Sequence, residues 1–259
     1  MLIATSTAEA MQNQRQVHVN GHDYTLSAYV GAAPLRGKYV EGNERNDNGL
    51  PQGFLVWQPP GSVTLPHFHE TNQFQVFVDG IGSMGKHAAQ PLTVQYANGH
   101  TPYGPIVASE TGVHYFTLRQ RWDPGAKYMP GARDKLTKGN QRTRIKGGIP
   151  TTTEDERDRL SAPNLEEVFA REDDGMAAWL CRFGRKQSCR LPDVGGTGGQ
   201  YLVVADGELE HDGKRFEKWS TLFLTPDEPA PTLRSSSSGL DLLILQFPEQ
   251  PGPEQGAVA

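Results

Sequence analysis

Cysteine is nearly missing from this chain of 259 residues: it has two, Cys181 and Cys189. Their spacing does not suggest a metal knuckle, and they read as reduced thiols in a cytoplasmic protein. No stretch holds 18 consecutive apolar residues, which excludes a spanning helix. The N-terminus, MLIATSTAEAMQ, lacks a basic region followed by a long apolar run, so no signal peptide is read there. Charge of one sign is also scarce. The net value of -5 rests on 30 acids against 25 bases, which argues against a nucleic-acid-binding surface. The expected partners are therefore small molecules, with no nucleic acid and no membrane.

What the chain does have is 29 glycines and 19 prolines between short β-rich segments, as in sandwiches and barrels. Gln16 to Leu26 reads as two short strands around Asn20-Gly21, the favoured type I′ pair. His18 and His22 on this hairpin read as exposed structural residues. Residues 31 to 52 read as loop. Strand signals then run from Gly53 to Gln58 and on to Asp79-Gly80, where the chain is expected to turn. Further strands are expected at Leu92 to Tyr96 and Val113 to Arg119.

The stretch Gly61 to Gly80 carries the chemistry. It has the form Gly-x5-His-x-His-x3-Gln-x6-Gly, with His67, His69 and Gln73 at its polar positions. Side chains two apart on a strand share a face, so His67 and His69 point one way and Phe68 the other. Two imidazoles held like this form half of a first-row metal site. A third, His100, stands 31 residues after His69, at the end of a strand and just before Pro102-Tyr103-Gly104. His114 is the rival for that place.

The spacing of these residues resembles the first motif of the cupin family, in which the last polar position usually carries Glu rather than Gln73. The second cupin motif likewise has glycines, a proline and a histidine at a strand end. The second half of the chain repeats the first. Gln73 to Gly80 has an echo in Gln200 to Gly207, and Leu65 to His69 lines up with Leu191 to Gly195. The three histidines become Asp193, Gly195 and Glu228, so the copy is expected to keep the fold and lose the metal.

The resemblance implies an all-β chain of two tandem jelly-roll (cupin) β-barrels joined by a partly helical linker. The first, metal-binding barrel is expected over 1–124, the linker over 125–164, the degenerate barrel over 165–248 and a loose tail over 249–259. Thr153-x-x-Glu156 and Asn164-x-x-Glu167 each match a helix-capping box, and two short helices are expected there. The second barrel is expected to cover an edge of the first or to build a homodimer interface.

Similarity to the manganese-containing cupin hydroxynitrile lyases implies that Gln73 joins His67, His69 and His100 as a ligand of one divalent ion: iron, manganese, nickel or zinc. Three imidazoles and an amide would leave the ion's charge uncompensated, which favours anionic partners such as a carboxylate or an enolate. The leading expectation is a metal-dependent dioxygenase acting on a small oxygenated organic substrate. A redox-neutral metal-dependent lyase or isomerase and a non-catalytic metabolite-binding protein are the alternatives. Phe77 and Tyr103 are expected to line the pocket, and Glu70, Tyr103 and His114 are the candidates for proton transfer.

Overall fold

Alternation of side chains along each strand sorts the chain into two large antiparallel sheets, in a computed structural model that describes residues 1–139 and 141–249. The first sheet runs in the order Thr143–Lys146, Thr93–Ala97, Gln73–Met84, Ile106–Arg119, Gln52–Gln58, His22–Val30 and Gln14–Val19. The second runs Leu2–Thr5, Thr221–Leu224, Gln200–His211, Thr232–Gln246, Ala177–Phe183 and Asn164–Phe169. Besides these, the two-residue strand His67–Phe68 pairs with Lys127–Tyr128.

Both faces of the central strands are buried, and period 2 decides what each face meets. On Gln73–Met84, Phe74, Val76 and Val78 join a core shared by the two halves, while Phe77 belongs to the interior of the first. Across the ladder, Phe116 and Leu118 face the shared core and Tyr115 the interior. The second half follows the same rule: Tyr201, Val203, Leu243 and Leu245 are shared, whereas Leu202, Val204, Leu242 and Ile244 fill its own interior. In the shared core the rings of Phe74 and Phe247 lie 5.0 Å apart, and Tyr201 donates its hydroxyl to the Arg119 carbonyl at 3.2 Å. Gly53 makes that approach feasible, because a Cβ there would sit 3.1 Å from the Tyr201 ring and hydroxyl.

Four local expectations meet the structure differently. Asn20-Gly21 does close a hairpin, with positive φ at both residues. Asp79-Gly80 does not turn the chain. Gly80, at φ +72, lets a bulge form inside one strand that continues to Met84. The Thr153 box caps the helix Glu154–Arg159 with both reciprocal bonds made, but Asn164 opens a strand instead. There the Glu167 backbone is paired with Trp179, and ladder bonds displace the helix that local capping would favour.

Sequence order also misplaces two edges. Leu2–Thr5 pairs with Thr221–Leu224 of the second sheet, and Thr143–Lys146, in the expected linker, extends the first. Backbone pairing at an open edge is indifferent to distance along the chain. The expected tail falls outside the described residues from position 250 onwards. Among the described residues no helix is long and apolar enough to cross a membrane.

Candidate active site

A cavity of about 80 Å³ opens in the interior of the first half, and His67, His69, Tyr103 and Arg119 line it together with Gln75, Thr117 and several aromatic residues. The short strand His67–Phe68 delivers the histidines. A reciprocal backbone pair, His67 N to Tyr103 O and Tyr103 N to His67 O, both 3.0 Å, then brings Tyr103 alongside. The ring centroids of His67 lie 5.3 Å from those of His69 and 4.5 Å from those of Tyr103.

Each imidazole is anchored through Nδ1. That of His67 lies 2.7 Å from the Leu65 carbonyl oxygen, and that of His69 lies 2.6 Å from Asp123 Oδ1. An oxygen acceptor at Nδ1 fixes the proton there and leaves Nε2 with its lone pair. Burial, aided by the adjoining His69 imidazole and the Arg119 charge, pushes His67 down to about 3 and keeps it neutral. Burial first, then the Arg119 charge, also lowers His69.

Burial opposes ionisation of Asp123, but the adjoining His69 imidazole, the Arg119 charge and its hydrogen bonds outweigh it and hold the carboxyl well below the usual range. The backbone N–H groups of Glu70 (2.9 Å), Thr71 (3.3 Å) and Gly125 (2.9 Å) all donate to this carboxylate.

Gln73 enters the cluster as a bridge. Its Nε2 donates to the Tyr103 hydroxyl at 2.5 Å, and its Oε1 accepts from Arg119 Nε at 3.2 Å and Nη2 at 3.0 Å. Arg119 also donates through Nη1 to Gln52 Oε1, and its guanidinium stands 5.7 Å from the Phe54 ring centroid. Its residue is 1% exposed. Among the described residues no carboxylate lies within ion-pair distance of it.

The expected four-residue ligand set is therefore not assembled. His100 adopts φ +56, its ring packs 5.6 Å from that of Phe68, and its Nδ1 accepts from the Thr137 N–H at 3.2 Å. Phe68 occupies the strand face opposite His67 and His69, which places His100 away from the pair. Among the described residues no group of three His, Cys, Asp or Glu side chains could hold a metal ion. The two imidazoles, neutral and with Nε2 free, do fit a divalent first-row ion as a pair of ligands. Tyr103 offers an oxygen beside them.

The other candidates separate from the cavity. Glu70 pairs with buried Lys127 at 2.9 Å, which sits over the Tyr39 ring. His114 contacts Asp79 at 3.1 Å and packs 4.4 Å from Trp57. Tyr103 does line the cavity, and burial raises its phenol. Phe77 packs behind Tyr115, at 5.1 Å, instead of lining the wall.

Sequence reasoning missed Arg119, Asp123 and Gln75. The available signal was period 2: Gln73 and Gln75, like Thr117 and Arg119, occupy alternate positions on strands whose intervening residues are apolar.

In the second half the corresponding places lie at the surface. Asp193 is exposed and bonds the Gly195 N–H, while Glu228 pairs with the N-terminal amine at 2.5 Å.

No family model and no curated relative matches this sequence. Solved structures do. A candidate dioxygenase from Nostoc punctiforme superposes with a TM-score of 0.63 at 11% identity, over 96% of this chain and 83% of that one. The bacterial pirin of Escherichia coli in complex with nickel(II) gives 0.53 at 12% identity, over 96% of this chain and all of that one. An oxalate decarboxylase from Bacillus subtilis gives 0.52 at 10%, over 95% and 77%. At such identities the likeness is one of fold, and that fold is the cupin fold.

Proposed function

We propose that this cavity is the active site of a metal-dependent enzyme, a dioxygenase that takes a small oxygenated organic substrate as its anion. One observation carries the proposal. Two imidazoles, each anchored through Nδ1, line a cavity together with a guanidinium that has no ion-pair partner among the described residues. His67 and His69 would hold the ion, with Tyr103 as the neighbouring protein oxygen. When bound, the ion supplies Lewis-acid polarisation of a substrate oxygen and, if redox-active, a means of activating dioxygen.

The chain's own residues do the rest. Asp123 keeps His69 in one tautomer and orientation. Gln73 holds the Tyr103 hydroxyl through Nε2 and the Arg119 fork through Oε1. Arg119 attracts and orients the anion. Tyr24, Phe54 and Tyr115 limit water, which strengthens each of these electrostatic contacts. The nickel-bound pirin and the candidate dioxygenase among the structural neighbours support a metal and an oxidative reaction without naming the substrate.

A redox-neutral lyase or isomerase is the second reading. In it the same ion would act only as a Lewis acid on a substrate oxygen, and its support is the neutral imidazole pair, which would leave the ion's charge uncompensated.

Metal analysis combined with oxygen uptake tests the choice. The expected result is near one equivalent per chain, lost in His67→Ala, with substrate-dependent oxygen consumption. Turnover that persists under anaerobic conditions would replace the dioxygenase with the redox-neutral enzyme. No metal retained by the wild type on reconstitution would remove the metal-dependent reading altogether.

A further inference from the structure

The two halves of this chain share one frame, so comparing equivalent rungs shows which residues the frame does not need. In the first half Gln73 faces Arg119, Gln75 faces Thr117, and Phe77 faces Tyr115. In the second, Gln200 faces Gln246, Leu202 faces Ile244, and Val204 faces Leu242. There Gln200 Nε2 donates to Gln246 Oε1 at 2.9 Å, a neutral pair, and an unbroken apolar interior lies beside it. The same strands thus close well with Gln, Leu and Ile where the first half carries Arg119, Gln75 and Thr117. Burying a guanidinium that meets only amide oxygens and a ring is unfavourable. Asp123, the buried acid of this cluster, is already committed to His69, Thr71 and three backbone N–H groups.

Two polar capacities of the cavity wall have no partner among the described residues. A guanidinium has five N–H groups, and Gln73 and Gln52 take three of those of Arg119. One N–H on Nη1 and one on Nη2 are left. Gln75, 2% exposed and lining the same cavity, has an Oε1 with no hydrogen-bond partner among the described residues. A pair of guanidinium N–H groups is complementary to a carboxylate, and a lone amide oxygen to a hydroxyl donor. At about 80 Å³, the cavity suits a small ligand, since it matches the liquid volume of roughly three waters at about 30 Å³ each.

We infer that the ligand of this cavity is a small hydroxy carboxylic acid, its carboxylate held by Arg119 and its hydroxyl donated to Gln75. This specifies the substrate class of the active site proposed above and rests on that reading only for the location.

The test uses L-lactate as probe, with lactamide as the uncharged control and propanoate as the control lacking the hydroxyl. Thermal shift and calorimetric titration are run on the full chain, chelator-treated and metal-reconstituted. Wild type is expected to prefer lactate to lactamide by at least about tenfold, and to propanoate by several-fold. Arg119→Gln should abolish the first preference. Gln75→Leu, which copies Leu202, should abolish the second and keep the first.

Equal binding of lactate and lactamide by wild type, or no binding of lactate at millimolar concentration, overturns the inference. So does unchanged lactate affinity in Arg119→Gln. If that variant fails to fold, the wild-type comparison decides alone. Binding by the chelator-treated protein separates the two readings. Lactate binding without any metal uptake would sink the metal-dependent enzyme and keep the carboxylate site, whereas one metal equivalent with no carboxylate preference would do the reverse.

Discussion

Arg119 stands directly opposite Gln73 on the antiparallel ladder and donates to its amide oxygen through both Nε and Nη2, at 3.2 and 3.0 Å. At the equivalent rung of the second half, Gln246 faces Gln200. One rung therefore carries a buried charge in one half and a neutral amide pair in the other. That difference separates a cavity from a filled core.

Removing the charge should cost little if the amide is kept. Arg119→Gln is expected to hold stability within about 1 kcal/mol, because it recreates the Gln–Gln pair of the second half. Arg119→Ala strips donors from two buried amide oxygens, on Gln73 and Gln52, and should cost roughly 2–5 kcal/mol. Urea denaturation of both variants gives the comparison, and equal destabilisation would refute it.

Metal affinity should depend on a residue that touches no metal. Asp123→Asn removes the charge behind His69 Nδ1 and loosens its tautomer, and a loss of about 10–100-fold in affinity is expected. Competition against a chromophoric chelator measures it. An unchanged constant would mean that His69 is not a ligand.

Acid should destabilise the metal-free protein earlier than its carboxylates alone predict. Burial lowers the folded His67 to about 3, against about 6.5 for a free imidazole. Between those values the unfolded chain binds the extra proton. The stabilising contribution is thus complete above pH 6.5 and falls with pH by up to about 1.4 kcal/mol per unit. His67→Gln should flatten the curve from pH 6.5 to 4. Parallel curves for the two proteins would count against a buried neutral imidazole.

Gly80→Ala should destabilise by at least about 2 kcal/mol. Its Cβ would lie 2.3 Å from the Gly112 carbonyl oxygen, at φ +72. Gly207→Ala, 2.2 Å from the Gly239 oxygen, should behave alike. Melting temperatures close to wild type would show that the bulge can rearrange.

The second half should be silent in metal binding. The double variant Asp193→Ala, Glu228→Ala is expected to leave metal content unchanged, since Asp193 is exposed and Glu228 pairs with the N-terminus. A loss of half the bound metal would reveal a second site.

Period-2 alternation, the glycine-framed His67-x-His69 pair and the echo of Gln73–Gly80 in Gln200–Gly207 were legible in the sequence, because side-chain spacing along one strand is a local property. They determined an all-β chain, the location of the cavity and the loss of the histidine pair from the second half. Which residues meet across strands is not local. Ladder register put Arg119 against Gln73 and made that amide a bridge between Arg119 and Tyr103. The pairing of His67 with Tyr103 brought the phenol to the site, and the chain after Arg119 folded back to set Asp123 behind His69. The His100 N–H bonds the His69 carbonyl at 2.7 Å, which fixes its backbone beside the pair, while the Thr137 N–H and the Phe68 ring hold its imidazole on the Phe68 side. Sequence spacing decided which residues could share a face; only tertiary hydrogen bonding decided which of them meet.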